Sequence, residues 1–207
     1  MTVCGYRPSE LDGSEHIYSF PKGSLNLPEK YSYRKFLPRI LNQGSRPICV
    51  PCSVSTYLNW RENLETGKKT NNNVNYEEIY ATKKIEGEGM TFKEAFSYLR
   101  HHGVSSSKGL LKIGAYAMVK SEFYLKAAIF MNGPCVGALP VYNDTDQFWE
   151  KRYGDSLQGY HAIAIVGFDE KGFIIRNSWG TSFGDKGYTT LPYNHLNRLL
   201  EIWTMIG

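Results

Sequence analysis

Three side chains in this sequence have the types and the order that thiol-based acyl transfer requires. Cys49 begins a helical pattern, His161 opens the strand-like run H-A-I-A-I-V-G-F, and Asn177 ends the next strand-like run. A thiol is a strong nucleophile only as its thiolate, and a helix N-terminus with a nearby imidazolium lowers its pKa below the free value of about 8.5. Antiparallel pairing of the two strands would bring the Asn177 amide to the His161 ring and fix its tautomer. The pattern predicts a Cys/His/Asn centre.

A fourth group precedes the helix. Gln43 lies six residues before Cys49 in a loop that contains Gly44 and Pro47. Its side-chain NH2 and the Cys49 backbone N–H are the donors that an oxyanion needs when a thiolate attacks a carbonyl. We therefore expect Gln43 to complete an acyl-transfer site.

The segments that carry these residues resemble the papain-like cysteine peptidases, especially the compact bacterial and phage type. The most specific match is N-S-W-G-T-S-F-G-D-K-G-Y at 177–188, and H-A-I and a Cys five residues after Q-G agree with it. The resemblance implies that Cys49 is the nucleophile, His161 the acid and base, Asn177 its orienting group and Gln43 the oxyanion donor. It implies a polypeptide substrate, no cofactor and no metal.

The resemblance also implies a set of substrate-binding residues. The backbone near Gly89 would pair with an extended substrate as an added β-strand. Met90, Ala138 and Ala162 would line the pocket for the residue two before the scissile bond, which predicts an apolar preference there. Trp179, which we group with this set, would shield the hydrogen bond between the catalytic Asn and His.

Departures from the family pattern are visible around the nucleophile. Arg46 stands where relatives have a disulfide cysteine, so that bridge is absent. His161 follows Cys49 more closely than the roughly 130–150 residues of the papain and cathepsin signature, which indicates trimmed loops. The first 40 residues are too short and irregular for the long helical inhibitory propeptide of cathepsins.

Helices precede strands along the chain. Apolar spacing predicts a helix from Cys49 and further helices at 76–84, 91–101 and 122–131, followed by four strands between about 135 and 193. This order predicts an α+β protein of two lobes with the site in the cleft between them. We predict one papain-like domain over 1–207: an extended N-terminal arm at 1–35, a mainly helical lobe at 36–115 and a mainly β lobe, sheet or barrel, at 116–207.

Composition excludes several classes of protein. The chain has 207 residues, of which 42% are hydrophobic and 21% charged, with a formal net charge of +4. The scattered basic residues argue against nucleic acid as a partner. No apolar run approaches the roughly 18 residues of a membrane helix, and the N-terminus lacks a signal-peptide pattern. We therefore expect no membrane partner and a cytoplasmic location, in the host cytoplasm if the chain is viral.

Alternative functions share these residues. C-V-P-C at 49–52 also fits a dithiol oxidoreductase, but that function leaves the His161 and Asn177 segments unexplained. Cys52 lies one helical turn after Cys49 and is expected to face the core. An isopeptidase or acyl transferase would use the same four residues, and an inactive peptide-binding relative would not need them.

Overall fold

The chain folds into helices packed on one large antiparallel sheet, as a computed structural model of residues 4–21, 23, 25–67, 73–86 and 88–207 shows. The helices are α1 (Cys49–Thr66), α2 (Tyr76–Tyr80), α3 (Phe92–His101) and α4 (Glu122–Asn132). The strands are β1 (Tyr31–Ser32), β2 (Val104–Ser106), β3 (Gly109–Leu111), β4 (Ala115–Met118), β5 (Cys135–Val141), β6 (Gly159–Phe168), β7 (Gly172–Arg176), β8 (Tyr188–Pro192) and β9 (Ile202–Ile206). Short 3-10 segments occupy Arg34–Phe36 and Tyr193–Arg198.

Helix α1 is buried along most of its length, on its polar as well as its apolar side. Its buried polar side chains form hydrogen bonds within the helix or with other segments. Asn59 Oδ1 accepts from the backbone amides of Asn73 and Val74, and Asn63 Nδ2 donates to the Phe36 carbonyl. Buried polar groups cost free energy unless they are paired, so these bonds let a helix of mixed composition cross the interior. The helix ends at Gly67, whose φ of 62° is left-handed.

The sheet has the order β4-β9-β5-β6-β7-β8, and β1 pairs with β6 outside that path. β6 is its centre: it pairs antiparallel with β5 and β7, and its residues from His161 to Phe168 are all buried. A near-continuous apolar run is what a strand covered on both faces requires. The pairing of β6 with β7 places His161, near the start of β6, close to Asn177, which follows the last residue of β7.

The predicted α+β class is therefore found. The structure adds strands that the pattern did not predict: the edge strand β4, its neighbour β9, β1, and the small β2–β3 hairpin. β1 to β4 were missed because each has only two to four residues. β9 was missed because it directly follows an irregular turn-rich segment. Among the described residues, no helix is long and apolar enough to cross a membrane.

The N-terminal arm is ordered by backbone pairing instead of by a core of its own. Tyr6 forms a parallel bridge with Met90, Ile17 forms one with Met118, and Tyr31 pairs with Phe168. The arm thus starts between α3 and the sheet, passes the sheet edge at β4 and returns to β6. We expected it to cross a surface, and its first described residues, 4–9, instead pair with Met90 and Tyr160.

Candidate active site

Cys49 lies at the first position of α1, with Ile48 as the N-cap residue. Its side chain is fully buried. The backbone N–H groups of Ala162 and Gly5 lie near the thiol, and both lower its pKa. Since Ala162 follows His161 in β6, the sulfur lies beside the strand that carries the imidazole. The helix N-terminus and the strand together position the Cys49 thiol.

His161 and Asn177 are joined by a hydrogen bond of 2.7 Å between Nε2 and Oδ1. The Ser178 amide also donates to Asn177 Oδ1, at 2.7 Å, which identifies this atom as the oxygen because an N–H cannot donate to the amide nitrogen. Nε2 of the neutral ring therefore carries the hydrogen, and Nδ1 carries a lone pair. Nδ1 is buried with no hydrogen-bond partner among the described residues. It is the ring atom available to a thiol proton.

Aromatic rings enclose the imidazole. The Trp179 ring lies 4.5 Å from the His161 ring, centroid to centroid, at an interplanar angle of 34°. Phe148 stands edge-on to His161 at 5.8 Å and packs on Trp179 at 4.8 Å. These rings exclude water from the His161–Asn177 hydrogen bond, which strengthens it. Phe148 was not predicted, because its position in an irregular segment gives no periodic signal.

Gln43 is held in place from the Asn177 side of the site. Its backbone N–H donates to the Ser178 carbonyl at 2.8 Å, and its Oε1 accepts from Ser178 Oγ at 2.7 Å. Nε2 donates to the Arg46 carbonyl at 3.0 Å. Ser178 therefore fixes the orientation of the Gln43 side-chain amide, with Oε1 towards Ser178 and Nε2 away from it. Ser178 was overlooked in the sequence analysis, although it lies inside the N-S-W-G motif.

The first described residues of the arm cover the nucleophile, and we call residues 4–9 the occluding segment. The Met90 N–H donates to the Gly5 carbonyl at 3.1 Å, and the Arg7 N–H donates to the Met90 carbonyl at 3.1 Å. On the opposite side the Tyr6 N–H donates to the Tyr160 carbonyl at 3.4 Å. The occluding segment is thus bound as an added strand at the place expected for a substrate.

Glycine makes this close approach possible. A Cβ atom at Gly89 would lie 1.8 Å from the Gly5 carbonyl oxygen, which no side chain would permit. The occluding segment is also anchored by a bidentate ion pair, because Arg7 Nη2 donates to both carboxylate oxygens of Glu94, at 2.9 and 3.1 Å. Arg7 Nε donates to the Gly89 carbonyl at 2.9 Å.

The side chain of Tyr6 fills a pocket next to the nucleophile. Its ring lies 5.4 Å from Phe92 and 6.5 Å, edge-on, from Tyr160. Its hydroxyl donates a short hydrogen bond to Oε1 of Glu201, a carboxylate that is itself buried. Ala138 donates a backbone hydrogen bond to the Glu201 carbonyl at 3.3 Å. Glu201 therefore lies beside a residue predicted to line the substrate pocket.

Burial keeps the central pair uncharged in this closed arrangement. Burial raises the pKa of the Cys49 thiol to about 11, although the nearby backbone N–H groups of Ala162, Gly5 and Val50 lower it. Burial lowers the pKa of His161 to about 4, against the Asn177 hydrogen bond, which raises it. Between those values the thiol and the imidazole are both neutral, so the reactive ion pair awaits a more open cleft.

The lowered pKa of His161 predicts a loss of stability in acid. An unfolded histidine takes up a proton near pH 6.5, whereas folded His161 does so only near pH 4, so its contribution is complete above pH 6.5 and is lost as the pH falls. From pH 7 to pH 4 the free energy of unfolding should fall by about 3 kcal/mol through this residue. Urea unfolding at pH 7 and at pH 4 measures this difference in the free energy of unfolding.

The matched controls for this acid effect are two histidine variants. His161→Gln cannot titrate and should lose most of the difference attributed to the buried ring, whereas His102→Gln, at an exposed position, should keep it. An equal drop in wild type and His161→Gln would show that other groups cause the acid destabilisation.

The predicted residues fall into one region of the fold. The segments that carry Cys49, His161, Asn177 and Gln43 lie next to one another. The occluding segment lies along Gly89 and Met90. The predicted pocket residues Met90, Ala138 and Ala162 are all buried beneath this arrangement, and Ala138 pairs with Ala162 across β5 and β6.

The cysteines outside the site are all free thiols. Cys52 is buried in α1, and burial raises its pKa, with a further rise from Cys49. Helices α2 and α3 follow α1 along the chain, in place of the β-α-β unit that a dithiol oxidoreductase would need around its motif. In the described part of the chain no three His, Cys, Asp or Glu side chains are grouped so that they could bind a metal ion.

Sequence comparisons agree with this geometry. Residues 54–200 match the profile of the papain family cysteine protease. The "Gut-specific cysteine proteinase" of Caenorhabditis elegans is 32% identical over 104 residues, which are 47% of this chain and 29% of that protein. Mouse "Cathepsin K" is 25% identical over 228 residues, covering 95% of this chain and 69% of that protein. The chain therefore spans less than a third of the nematode relative.

Solved structures show the same fold. Xylellain, a cysteine protease from Xylella fastidiosa, superposes with a TM-score of 0.80 at 23% identity, covering 98% of this chain and 95% of that one. ProCathepsin B S9 from Trypanosoma congolense gives 0.79 at 16% identity, covering 99% and 86%. The near-equal coverage with xylellain agrees with the compact bacterial type that was predicted. Because the profile match spans more than half of its residues, the chain belongs to the papain family of cysteine proteases.

Proposed function

We propose that the protein is a cysteine endopeptidase, and that the described conformation is its closed, latent form. The observation that carries the proposal is the hydrogen bond between His161 Nε2 and Asn177 Oδ1, which leaves Nδ1 as the base on the strand beside Cys49. A satisfied core histidine would have both ring nitrogens paired. A buried nitrogen with no partner costs free energy and is expected where catalysis needs it.

The reaction follows from these positions. Once a peptide replaces the occluding segment, Cys49 passes its proton to His161 Nδ1 and its sulfur attacks the peptide carbonyl carbon. The tetrahedral intermediate collapses when the C–N bond breaks, and His161 returns the proton to the leaving amine. His161 then takes a proton from water, whose oxygen attacks the thioester. The acid product leaves and the Cys49 thiol re-forms.

Gln43 stabilises the negative oxygen of both tetrahedral intermediates, together with the Cys49 backbone N–H. Support comes from the way Ser178 holds the Gln43 Oε1 at 2.7 Å, which directs Nε2 away from Ser178. Removing one oxyanion donor typically costs about 10²–10³-fold in kcat. Gln43→Ala should therefore lower kcat on a peptide substrate by that factor with little change in KM.

Two further variants separate this role from a structural one. Asn194→Ala, at an exposed position in the 3-10 segment Tyr193–Arg198, should leave kcat unchanged. Asn177→Ala should be milder than loss of the base itself, because the amide only orients the ring. A Gln43→Ala enzyme with wild-type kcat would remove Gln43 from the mechanism.

The occluding segment explains why this conformation is latent. It presents the Gly5 N–H to the sulfur, and a peptide nitrogen is not an electrophile that a thiolate attacks. It also completes the burial that keeps Cys49 and His161 neutral. The segment therefore occupies the cleft without being cleaved, and a substrate must displace it.

The proposed function is tested by labelling with a thiol-directed peptidyl epoxide followed by peptide mass mapping. We expect one adduct, on Cys49, and none on Cys4, Cys52 or Cys135. Prior blocking with iodoacetamide should remove hydrolysis of unfolded protein in proportion to the Cys49 that is alkylated. Full hydrolysis after complete alkylation of Cys49 would overturn the proposal.

A further inference from the structure

The loop that precedes α1 is organised around the backbone of Arg46, and we call residues 43–48 the oxyanion loop. The Arg46 N–H donates to the Gln43 carbonyl at 3.2 Å. The Arg46 carbonyl accepts from Gln43 Nε2 at 3.0 Å and from the Ile48 N–H at 2.9 Å. Ile48 is the N-cap residue of α1. The position of Arg46 therefore determines where the Gln43 side-chain amide lies relative to the start of the helix.

The Arg46 side chain ties the oxyanion loop to helix α2. Its Nη1 and Nη2 donate to the two carboxylate oxygens of Glu77, at 2.5 and 2.6 Å. Two parallel hydrogen bonds of this kind fix the orientation of an arginine as well as its distance. The guanidinium carbon also lies 5.9 Å from the centroid of the Tyr80 ring. The hydrogen bonds between the two side chains raise the pKa of Arg46 and lower the pKa of Glu77, so both are charged at neutral pH.

Helix α2 is a fixed anchor for this contact. Ile79 is fully buried, and the Ser105 N–H donates to the Glu78 carboxylate at 2.8 Å. The Tyr80 hydroxyl donates to the Glu88 carbonyl at 3.2 Å, directly before the glycine on which the occluding segment lies. The same helix therefore contacts both the oxyanion loop and the segment that binds the extended chain.

We propose that Arg46 is a positioning residue of the reaction, and that its ion pair with Glu77 holds the Gln43 side chain in the geometry that receives the oxyanion. The inference rests on the proposed function. A side-chain amide has two N–H hydrogens in one plane. The Arg46 carbonyl accepts one of those of Gln43, which sets the direction of the other, the one that the proposed mechanism uses. All four cysteines are free thiols, so no disulfide holds this loop in place of the ion pair.

Charge reversal tests this role in the whole chain. Arg46→Glu replaces the attraction to Glu77 by repulsion, and a displacement of about 1 Å in a site can cost as much as 10²-fold in rate. Both side chains are about half exposed, which limits the strength of the pair. We therefore expect kcat on a peptide substrate to fall about 10-fold, with little change in KM.

Restoring the opposite charges should restore the rate. Glu77→Arg should lower kcat as Arg46→Glu does, and Arg46→Glu/Glu77→Arg should recover kcat to within about threefold of wild type. Glu77→Gln keeps the shape of the side chain and removes only its charge. It should lower kcat about threefold, and it tests the pair even if a charge-reversed chain does not fold.

Two readouts separate positioning of Gln43 from a general structural effect. In a Gln43→Ala background, Arg46→Glu should change kcat by less than about threefold, because the donor through which Arg46 acts is already absent. Alkylation of Cys49 by iodoacetamide requires the thiolate but forms no oxyanion, since the sulfur displaces iodide at a saturated carbon. Its rate should therefore change by less than about twofold in Arg46→Glu.

Lys126→Glu is the matched control, because it reverses one charge of another ion pair, with Glu122 at 2.8 Å on α4, and it should keep wild-type kcat. Wild-type kcat in Arg46→Glu or in Glu77→Gln would overturn the inference. It would also be overturned by an equal fall of kcat in the wild-type and Gln43→Ala backgrounds, or by a charge swap that recovers nothing. If wild type does not hydrolyse the peptide, or if Gln43→Ala keeps wild-type kcat, the proposed function fails instead, and this inference with it.

Discussion

Replacing Cys49 with alanine should lower the rate of hydrolysis of unfolded protein by at least about 10⁴-fold, and His161→Ala should do the same. Nucleophile and base act as one unit, so the loss of either removes nearly the whole covalent route. The double variant should be no worse than either single one. A fluorescent denatured protein, followed under reducing conditions, provides the measurement.

Controls for these losses are available within the chain. His101→Ala, at an exposed position, should retain wild-type activity. Cys49→Ser preserves the shape of the thiol and should also be inactive, because a hydroxyl is a far weaker nucleophile at this site. Thermal unfolding confirms that each variant is folded. More than a tenth of wild-type activity in folded Cys49→Ala would contradict the mechanism.

Tyr6→Ala should speed the alkylation of Cys49 by about 10²-fold or more at pH 7. Tyr6 is 5% exposed and binds Glu201, and truncating such an aromatic residue costs about 3 kcal/mol or more of the contact that closes the cleft. Each 1.4 kcal/mol shifts the closed-to-open equilibrium about tenfold. Iodoacetamide labelling, resolved by peptide mapping, reports the fraction of time that the sulfur is exposed.

The comparison variant for this effect lies in the same arm but outside the cleft. Tyr18 pairs its backbone with Met118 at the sheet edge, and its ring packs on Phe20. Tyr18→Ala should therefore change the alkylation rate much less than Tyr6→Ala. If both variants react like wild type, the occluding segment does not control access to Cys49.

Much of the fold was predictable because its main elements have strong local patterns. The helix from Cys49 and the apolar run from His161 are long and periodic, and both lie where they were expected. Cys49, His161 and Asn177 lie at or next to the ends of such elements, so their approach follows from the pairing of β6 with β7 and from the packing of α1 on β6. Gln43 lies in the loop before α1 and is held by its hydrogen bonds to Ser178.

The unpredicted parts depend on contacts between distant segments. Nothing local in residues 4–9 shows that they pair with Met90, because an extended segment gains its structure from the partner strand. Glu201 had a signal that could have been used: it is a lone acid within the apolar run L-L-E-I-W. A charge in such a run is buried only when it is paired, and its partner, Tyr6, lies at the other end of the chain.

The central claim is that Cys49 forms the acyl-enzyme, and trapping that intermediate tests it most directly. Tyr6→Ala protein is mixed with a peptidyl nitrophenyl ester, quenched in acid within the first turnover, digested and mapped by mass spectrometry. The account predicts a burst of nitrophenol equal to the enzyme concentration and the acyl group on Cys49, with neither in Tyr6→Ala/Cys49→Ala. An acyl group on any other residue, or turnover with no acylated Cys49, would contradict it.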